Sequence, residues 1–455
     1  AARASAIFGV HLTVRDVFES PTAAGLAVRV SELQASAELQ ANTESGRIPL
    51  TAGPRPDHVP LSLSQQRLWF LNRLDPTSGA DNIPVAIRLS GDLDVSALTH
   101  ALHDVVVRHE SLRTVYPDGA SGPHQLVLPA EQALPDLPIR SCGEEDLVGA
   151  LFDIAAPGFD LATETPVRAA LLRLSASEHV LVVVVHHVSA DGWSMTALAR
   201  DLMLAYGARG AGTDPAFTPL PVQYADFTLW QRARLGDEKA DVSPARTGVD
   251  YWRTTLSGLP EQIELPYDRP RPPVASYQGA TVKFAIGAET HAQLVTLARQ
   301  NDCTQFMVMH AALTVLLSRL GAGDDIAVGT PVAGRGAAEL DDVVGMFVGT
   351  LVLRGEVHSS DTFSELLRRS RDVALGAFAH PDVPFERLVE VLNPTRSTAR
   401  HPLFQVMLAF QNLAPSALEL PGLTVQTEEI DTGRSKFDLQ LTMVEHTTAD
   451  GTAGG

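Results

Sequence analysis

Cysteine is nearly absent: two occur in 455 residues, Cys142 and Cys303. They supply neither a disulfide framework nor metal-ligand spacing, a usage that fits a reducing compartment. Positive charge is short as well. Lys and Arg number 35 against 54 Asp and Glu, a net charge of −19, and a surface of that sign repels phosphate backbones, which argues against nucleic acid as a partner. The longest apolar run, Val180 to Val185, falls far short of the roughly 20 residues a membrane span needs. No basic stretch followed by an apolar one opens the chain, so no secretory signal is read. The expectation is a cytoplasmic protein with no membrane partner, either entire or excised from a longer chain.

What is present is ordinary for a globular protein: 45% hydrophobic and 20% charged residues, in a length that suits two or three domains. Three zones differ. In residues 1–34, Val14, Val17 and Phe18, then Leu26 and Val30, recur at helical spacing, with Ser20-Pro21-Thr22 as a helix start between them. Two short helices cannot bury a core, so this zone reads as the tail of a truncated domain. Residues 35–57 are rich in Ala, Gln, Asn, Ser, Gly and Pro and end in Gly53-Pro54-Arg55-Pro56. That is linker composition, with an irregular loop as the alternative. Residues 58–455 alternate helices and strands. Ser64–Leu74 is expected as a helix with Leu68, Leu71 and Leu74 inside, and Val95–His109 as a helix with one apolar stripe. His179–Val185, a β-branched run, is expected as a strand buried on both faces. An α/β alternation of this length makes one large domain or two similar lobes.

Chemistry concentrates in His186-His187-Val188-Ser189-Ala190-Asp191-Gly192-Trp193-Ser194. The stretch lies where a buried strand ends and a helix is about to begin, so a rigid element aims its side chains. A histidine there suits a general base near neutral pH. Asp191 fixes the loop if an arginine meets it, and Gly192 permits close backbone approach to a substrate. A structural, hydrogen-bonded histidine is the bland alternative. Adjacent strand histidines point to opposite faces, so His186 and His187 cannot share one ion, and no third ligand is spaced to help: no metal site is expected. No Gly-x-Ser-x-Gly elbow marks a serine nucleophile, and Gly321-Ala322-Gly323 lacks the Gly-Lys-Ser/Thr of a phosphate loop.

At these residues the sequence resembles the condensation domains of nonribosomal peptide synthetases. The resemblance extends to Leu61-Ser62-Leu63-Ser64-Gln65-Gln66-Arg67-Leu68-Trp69, Arg108-His109-Glu110-Ser111-Leu112-Arg113-Thr114 and Tyr224-Ala225-Asp226-Phe227-Thr228-Leu229-Trp230. It continues through Val344-Gly345-Met346-Phe347-Val348-Gly349-Thr350, His380-Pro381-Asp382-Val383-Pro384-Phe385-Glu386 and His401-Pro402-Leu403-Phe404-Gln405-Val406-Met407. Residues 1–34, with Val17-Phe18-Glu19-Ser20-Pro21-Thr22, resemble the last helices of a carrier domain that lacks its arm-bearing serine.

The resemblance implies an α/β fold of two chloramphenicol-acetyltransferase-like lobes, set as a V around a central tunnel. The lobes would be residues 58–225 and 226–455, the second ending short of the family's last elements. It implies peptide-bond formation between groups on phosphopantetheine arms, with no cofactor bound by the domain itself. Its partners would be an upstream donor carrier in the same chain and downstream acceptor carrier and adenylation domains. His187 matches the active-site histidine, as a general base or as a group that only positions the amine. His186 is then structural, and Gly192 brings a backbone N–H to the acyl carbonyl. Asp191 pairs with Arg335, or failing that with Arg108. Trp193 and Ser194 line or support the tunnel, and Gly349, standing where relatives carry Asn, lines it. The opening motif suits an L-configured donor. A coenzyme A-dependent acyltransferase and a non-catalytic recruitment platform are the alternatives.

Overall fold

A computed structural model describes all residues except 1, 11, 40–47, 121, 241–242, 412–418, 432 and 448–452. Its first sheet runs, edge to edge, Leu423–Glu428, Asn82–Gly91, Glu178–His186, Val167–Arg173 and Ile139–Ser141, antiparallel but for the last pair. Glu178–His186 is its centre, and the strand's alternation sorts two cores. Leu181 and Val185 face helices Val95–Arg108 and Ser194–Gly210, where Leu98, Leu102 and Leu202 are buried. Val180, Val182 and Val184 face helices Leu63–Leu74 and Leu147–Ala155 through Leu68, Leu151 and Ile154. A strand covered on both faces has no solvent side, hence its continuous apolar run.

The second sheet runs Gly349–Glu356, Asp325–Val332, Val406–Gln411 and Leu439–Val444. One face packs on Pro244–Thr255, Phe363–Ala379 and Phe385–Leu392 through Trp252, Ala377 and Leu388. The other packs on Gln305–Arg319 through Leu313 and Leu317. The architecture is thus two α/β lobes.

Four expectations change. Leu71 and Leu74 lie outward on their helix, 39% and 69% exposed, and only Leu68 of that trio is buried. The N-terminal zone holds three helices, Ala2–Phe8, Val14–Glu19 and Ala23–Leu39, the last extending past residue 34. Phe18 packs against Met307 and Leu375 of the second lobe. The expected linker 35–57 is pinned at its far end: Leu50 is buried against Leu340, Val343 and Phe347, and Arg55 bridges Glu110 and Asp226. Its residues 40–47 lie outside the described ones. Finally, residues 226–455 are not confined to one lobe, because Leu423–Glu428 pairs antiparallel with Asn82–Gly91 on the edge of the first sheet.

Candidate active site

The central strand ends at His186, and the chain turns into helix Ser194–Gly210 eight residues later. The two histidines part as alternation requires. His186 is buried edge-on to Phe159, and its Nδ1 accepts the Val188 N–H at 3.0 Å. Burial pushes its pKa down to about 4, so it is neutral and structural. His187 is anchored by its backbone, the N–H donating to Asp81 C=O at 2.8 Å. Its side chain is half-buried, and its Nδ1 is buried with no hydrogen-bond partner. Burial, with a smaller contribution from the Lys436 ammonium, lowers its pKa, while Asp81 and Asp191 oppose. The ring is therefore neutral at neutral pH and able to accept from a substrate N–H.

Asp191 is fully buried and joins the lobes. Its Oδ1 accepts from Ser194 N–H at 2.9 Å and from Arg335 Nη2 at 3.2 Å, and its Oδ2 accepts from Phe347 N–H at 3.0 Å. Arg335, 6% exposed, donates also to the carbonyls of Leu340 and Val343 and lies over the Phe347 ring, 4.2 Å from its centroid. Gly334 explains why this loop can close: its φ is +62°, and a Cβ there would sit 1.9 Å from Phe347 O. The carboxylate is thus neutralised by a guanidinium and by two N–H donors, which a buried charge requires.

Two expected placements do not hold. Arg108 does not meet Asp191. It pairs with Asp201 of helix Ser194–Gly210 at 2.7 Å, beside the buried His109. Ser194 lines no tunnel: it is buried, with Oγ 2.8 Å from Asp191 Oδ1 and accepting the Gly345 N–H at 3.2 Å. Trp193 is half-buried at the helix N-terminus. Gly192 is exposed, its φ is not in the left-handed region, and nothing lies within 4 Å of where its Cβ would be. The fold does not demand glycine there. Gly349 opens the strand opposite Val332, with a would-be Cβ 3.4 Å from Val332 Cγ2 and 3.8 Å from Pro381 O. Recesses of 350 Å³ beside Arg108 and Phe217 and of 160 Å³ beside Arg400 lie away from His187. Among the described residues no cluster of His, Cys, Asp and Glu could hold a metal, and no helix is long and apolar enough to cross a membrane.

Sequence reasoning missed Asp81 and Lys436, whose ion pair lies beside both histidines. The signal for Asp81 was its place just before the strand that pairs with His186.

The profile described as "Condensation domain" matches residues 55–451. A probable non-canonical nonribosomal peptide synthetase of Salinispora arenicola, CymA, is 49% identical over 455 residues, which is 100% of this chain and 6% of the relative. A dimodular nonribosomal peptide synthase of Bacillus subtilis is 45% identical over 449 residues, 99% of this chain and 18% of the relative. The chain therefore spans under a fifth of either. Among solved structures, the complex of the X-domain and OxyB from teicoplanin biosynthesis matches with a TM-score of 0.83 and 36% identity, covering 90% of each chain. With its histidine motif at the end of the central strand and the match running through both lobes, the chain belongs to the condensation-domain family of nonribosomal peptide synthetases.

Proposed function

We propose that the chain forms peptide bonds between two carrier-bound groups, with an L-configured donor and an L-configured acceptor. The amine of a downstream aminoacyl thioester attacks the carbonyl of an upstream aminoacyl or peptidyl thioester. A C–N bond forms and the C–S bond breaks. The donor arm leaves as a thiol that takes up the proton the amine gives up. The observation that carries this reading is a neutral, half-buried His187 at the end of a rigid strand, with open space at Gly192 beyond it. Burial disfavours the imidazolium, so a neutral His187 accepts a hydrogen bond from the amine, either taking its proton as a general base or only holding it in line for attack. Gly192 offers its backbone to the acyl group, and Trp193 and Gly349 border the substrate path. Phosphopantetheine arms enter with the carriers. Residues 1–34 are the end of the donor carrier, the acceptor carrier and adenylation domain lie downstream, and the compartment is the cytoplasm.

Donor and acceptor carriers loaded with labelled aminoacyl arms test this. A dipeptidyl product on the acceptor, found by mass spectrometry and absent with His187→Ala, supports the reading. Product from coenzyme A thioesters but not carriers would make the chain a free acyltransferase. The solved complex of the teicoplanin X-domain with OxyB favours a second reading, a platform that recruits a partner protein. Wild-type protein that makes no product with either donor would leave that one standing.

A further inference from the structure

Asp81 plays no part in the reading above, yet it stands next to His187. Strand Asn82–Gly91 pairs antiparallel with Glu178–His186, Asn82 opposite His186. The pairing continues one step, through the His187 N–H on Asp81 C=O at 2.8 Å. Asp81 and His187 are thus joined by their backbones just past the strand ends, and the Asp81 carboxylate acts electrostatically on both the His186 and the His187 rings. It is 16% exposed, and its ion-pair partner is a primary ammonium from the other lobe, Lys436, itself 41% exposed. The other groups facing it are the neutral His186 ring and the Arg67 guanidinium, the latter 3.3 Å from Glu386. Burial pushes the Asp81 carboxyl up, but Lys436 outweighs it and keeps the group ionised.

A carboxylate beside the active-site imidazole, occupied by an ammonium on a flexible and partly solvated stem, is a site with the chemistry to hold a primary ammonium. The proposed acceptor brings one, on the carbon next to its thioester. We propose that Asp81 binds the α-ammonium of the acceptor aminoacyl group, and that Lys436 is the resident counter-ion which the acceptor displaces. This rests on the peptide-bond reading of the same site. Displacement is easy where the pair is partly exposed, whereas the buried Asp191–Arg335 pair would not yield. The acceptor is thereby held within reach of His187 as an ammonium; it gives one proton to water before attack and the second to the departing thiol, and a group of the same shape without the amine gains nothing from Asp81.

The test measures acceptor-carrier KM at saturating donor for the full chain, in wild type, Asp81→Asn, Lys436→Met and the double variant. The two single substitutions act in opposite directions. Asp81→Asn raises acceptor KM about tenfold or more, as loss of a charge-assisted hydrogen bond does. Lys436→Met lowers it, because the carboxylate is vacated. An acceptor carrier bearing a des-amino acyl group inhibits wild type and Asp81→Asn equally. If both single variants raise KM alike, the pair is only a clasp between lobes and the proposal is wrong. An unchanged KM in Asp81→Asn, or a des-amino group that inhibits wild type better than Asp81→Asn, also overturns it. The double variant removes both charges together, so folding does not depend on one being left unpaired. If it matches wild type in KM, Asp81 binds no acceptor. Wild-type protein that makes no product at all refutes the peptide-bond reading itself, which separates that failure from failure of Asp81 alone.

Discussion

Replacing Asp191 by Asn changes one oxygen to NH2 in a group with no solvent contact. The amide has one accepting oxygen where the carboxylate had two. If that oxygen keeps Ser194 N–H and Arg335, the new NH2 is aimed at Phe347 N–H, donor against donor. Turned the other way, it meets the guanidinium. The better orientation still strands one buried N–H, about 1–3 kcal/mol, and leaves Arg335 with only carbonyls and a ring for company. Breaking one side of a buried pair costs about 3–5 kcal/mol in all. Asp191→Asn should lower the melting midpoint by several degrees. It should also cut turnover with loaded carriers, since two of the donors lost or weakened come from the second lobe and fix the loop that bears His187. Arg335→Met should cost a similar amount. Asp191→Asn/Arg335→Met should cost clearly less than the sum, by at least about 1 kcal/mol of coupling. A melting midpoint within about one degree of wild type for Asp191→Asn, or strict additivity in the cycle, would refute the account of a charge that joins the lobes.

His187→Ala should reduce product formation at least about a hundredfold, with thermal melting little changed because the ring's Nδ1 has no partner to lose; near wild-type turnover would remove His187 from the chemistry. A Cβ at Gly192 meets no atom within 4 Å, so Gly192→Ala should leave melting unchanged while turnover with loaded carriers falls; equal activity would show that no substrate uses that space. Gly349→Asn has room for its Cβ and should shift the preference between small and bulky donors in competition assays; identical selectivity leaves it with no part in the substrate path. Burial holds His186 and His310 near pKa 4, against about 6.5 unfolded. Between these values the unfolded chain binds more protons, so stability is complete above about pH 6.5 and falls as pH drops toward 4, by about 3 kcal/mol for each histidine. A urea midpoint that stays level or rises from pH 7 to pH 5 would contradict this.

The central strand and its flanking helices were legible because their apolar periodicity is a direct image of burial. The histidine motif was legible because it interrupts that image at a strand end. Asp191 could be given a partner from sequence only through the family resemblance, since Arg335 lies 144 positions away. Arg108 was a poor second because helix direction, invisible in spacing, turns it toward Asp201. Leu71 and Leu74 show the limit of pattern reading: they continue the helical stripe of Leu68, but nothing covers that side of the helix as described. Residues 35–57 have the composition of a free linker, yet single side chains at Leu50 and Arg55 dock it, and composition averages such residues away. Leu423–Glu428 alternates Leu, Thr, Val and Gln as an edge strand with one side to water does, yet nothing in it names the sheet it joins.

The edge strand Leu423–Glu428 has a consequence for anyone who recombines such domains. Six residues of the C-terminal stretch cover Ala86 through Gly91, Leu423 and Val425 pack into the first lobe's core, and Glu428 pairs with Arg88. A chimera cut near residue 225, with the first lobe from one parent and everything after it from another, inherits a foreign strand at that edge. The backbone ladder would still form, since main-chain hydrogen bonds ignore side chains, but the packing and charge match would not. Expressed alone to residue 225, the first lobe would present an uncovered strand to its neighbours, a template for edge-to-edge association. Grafts that carry residues 419–430 together with the first lobe should stay monodisperse where cuts at a single point precipitate.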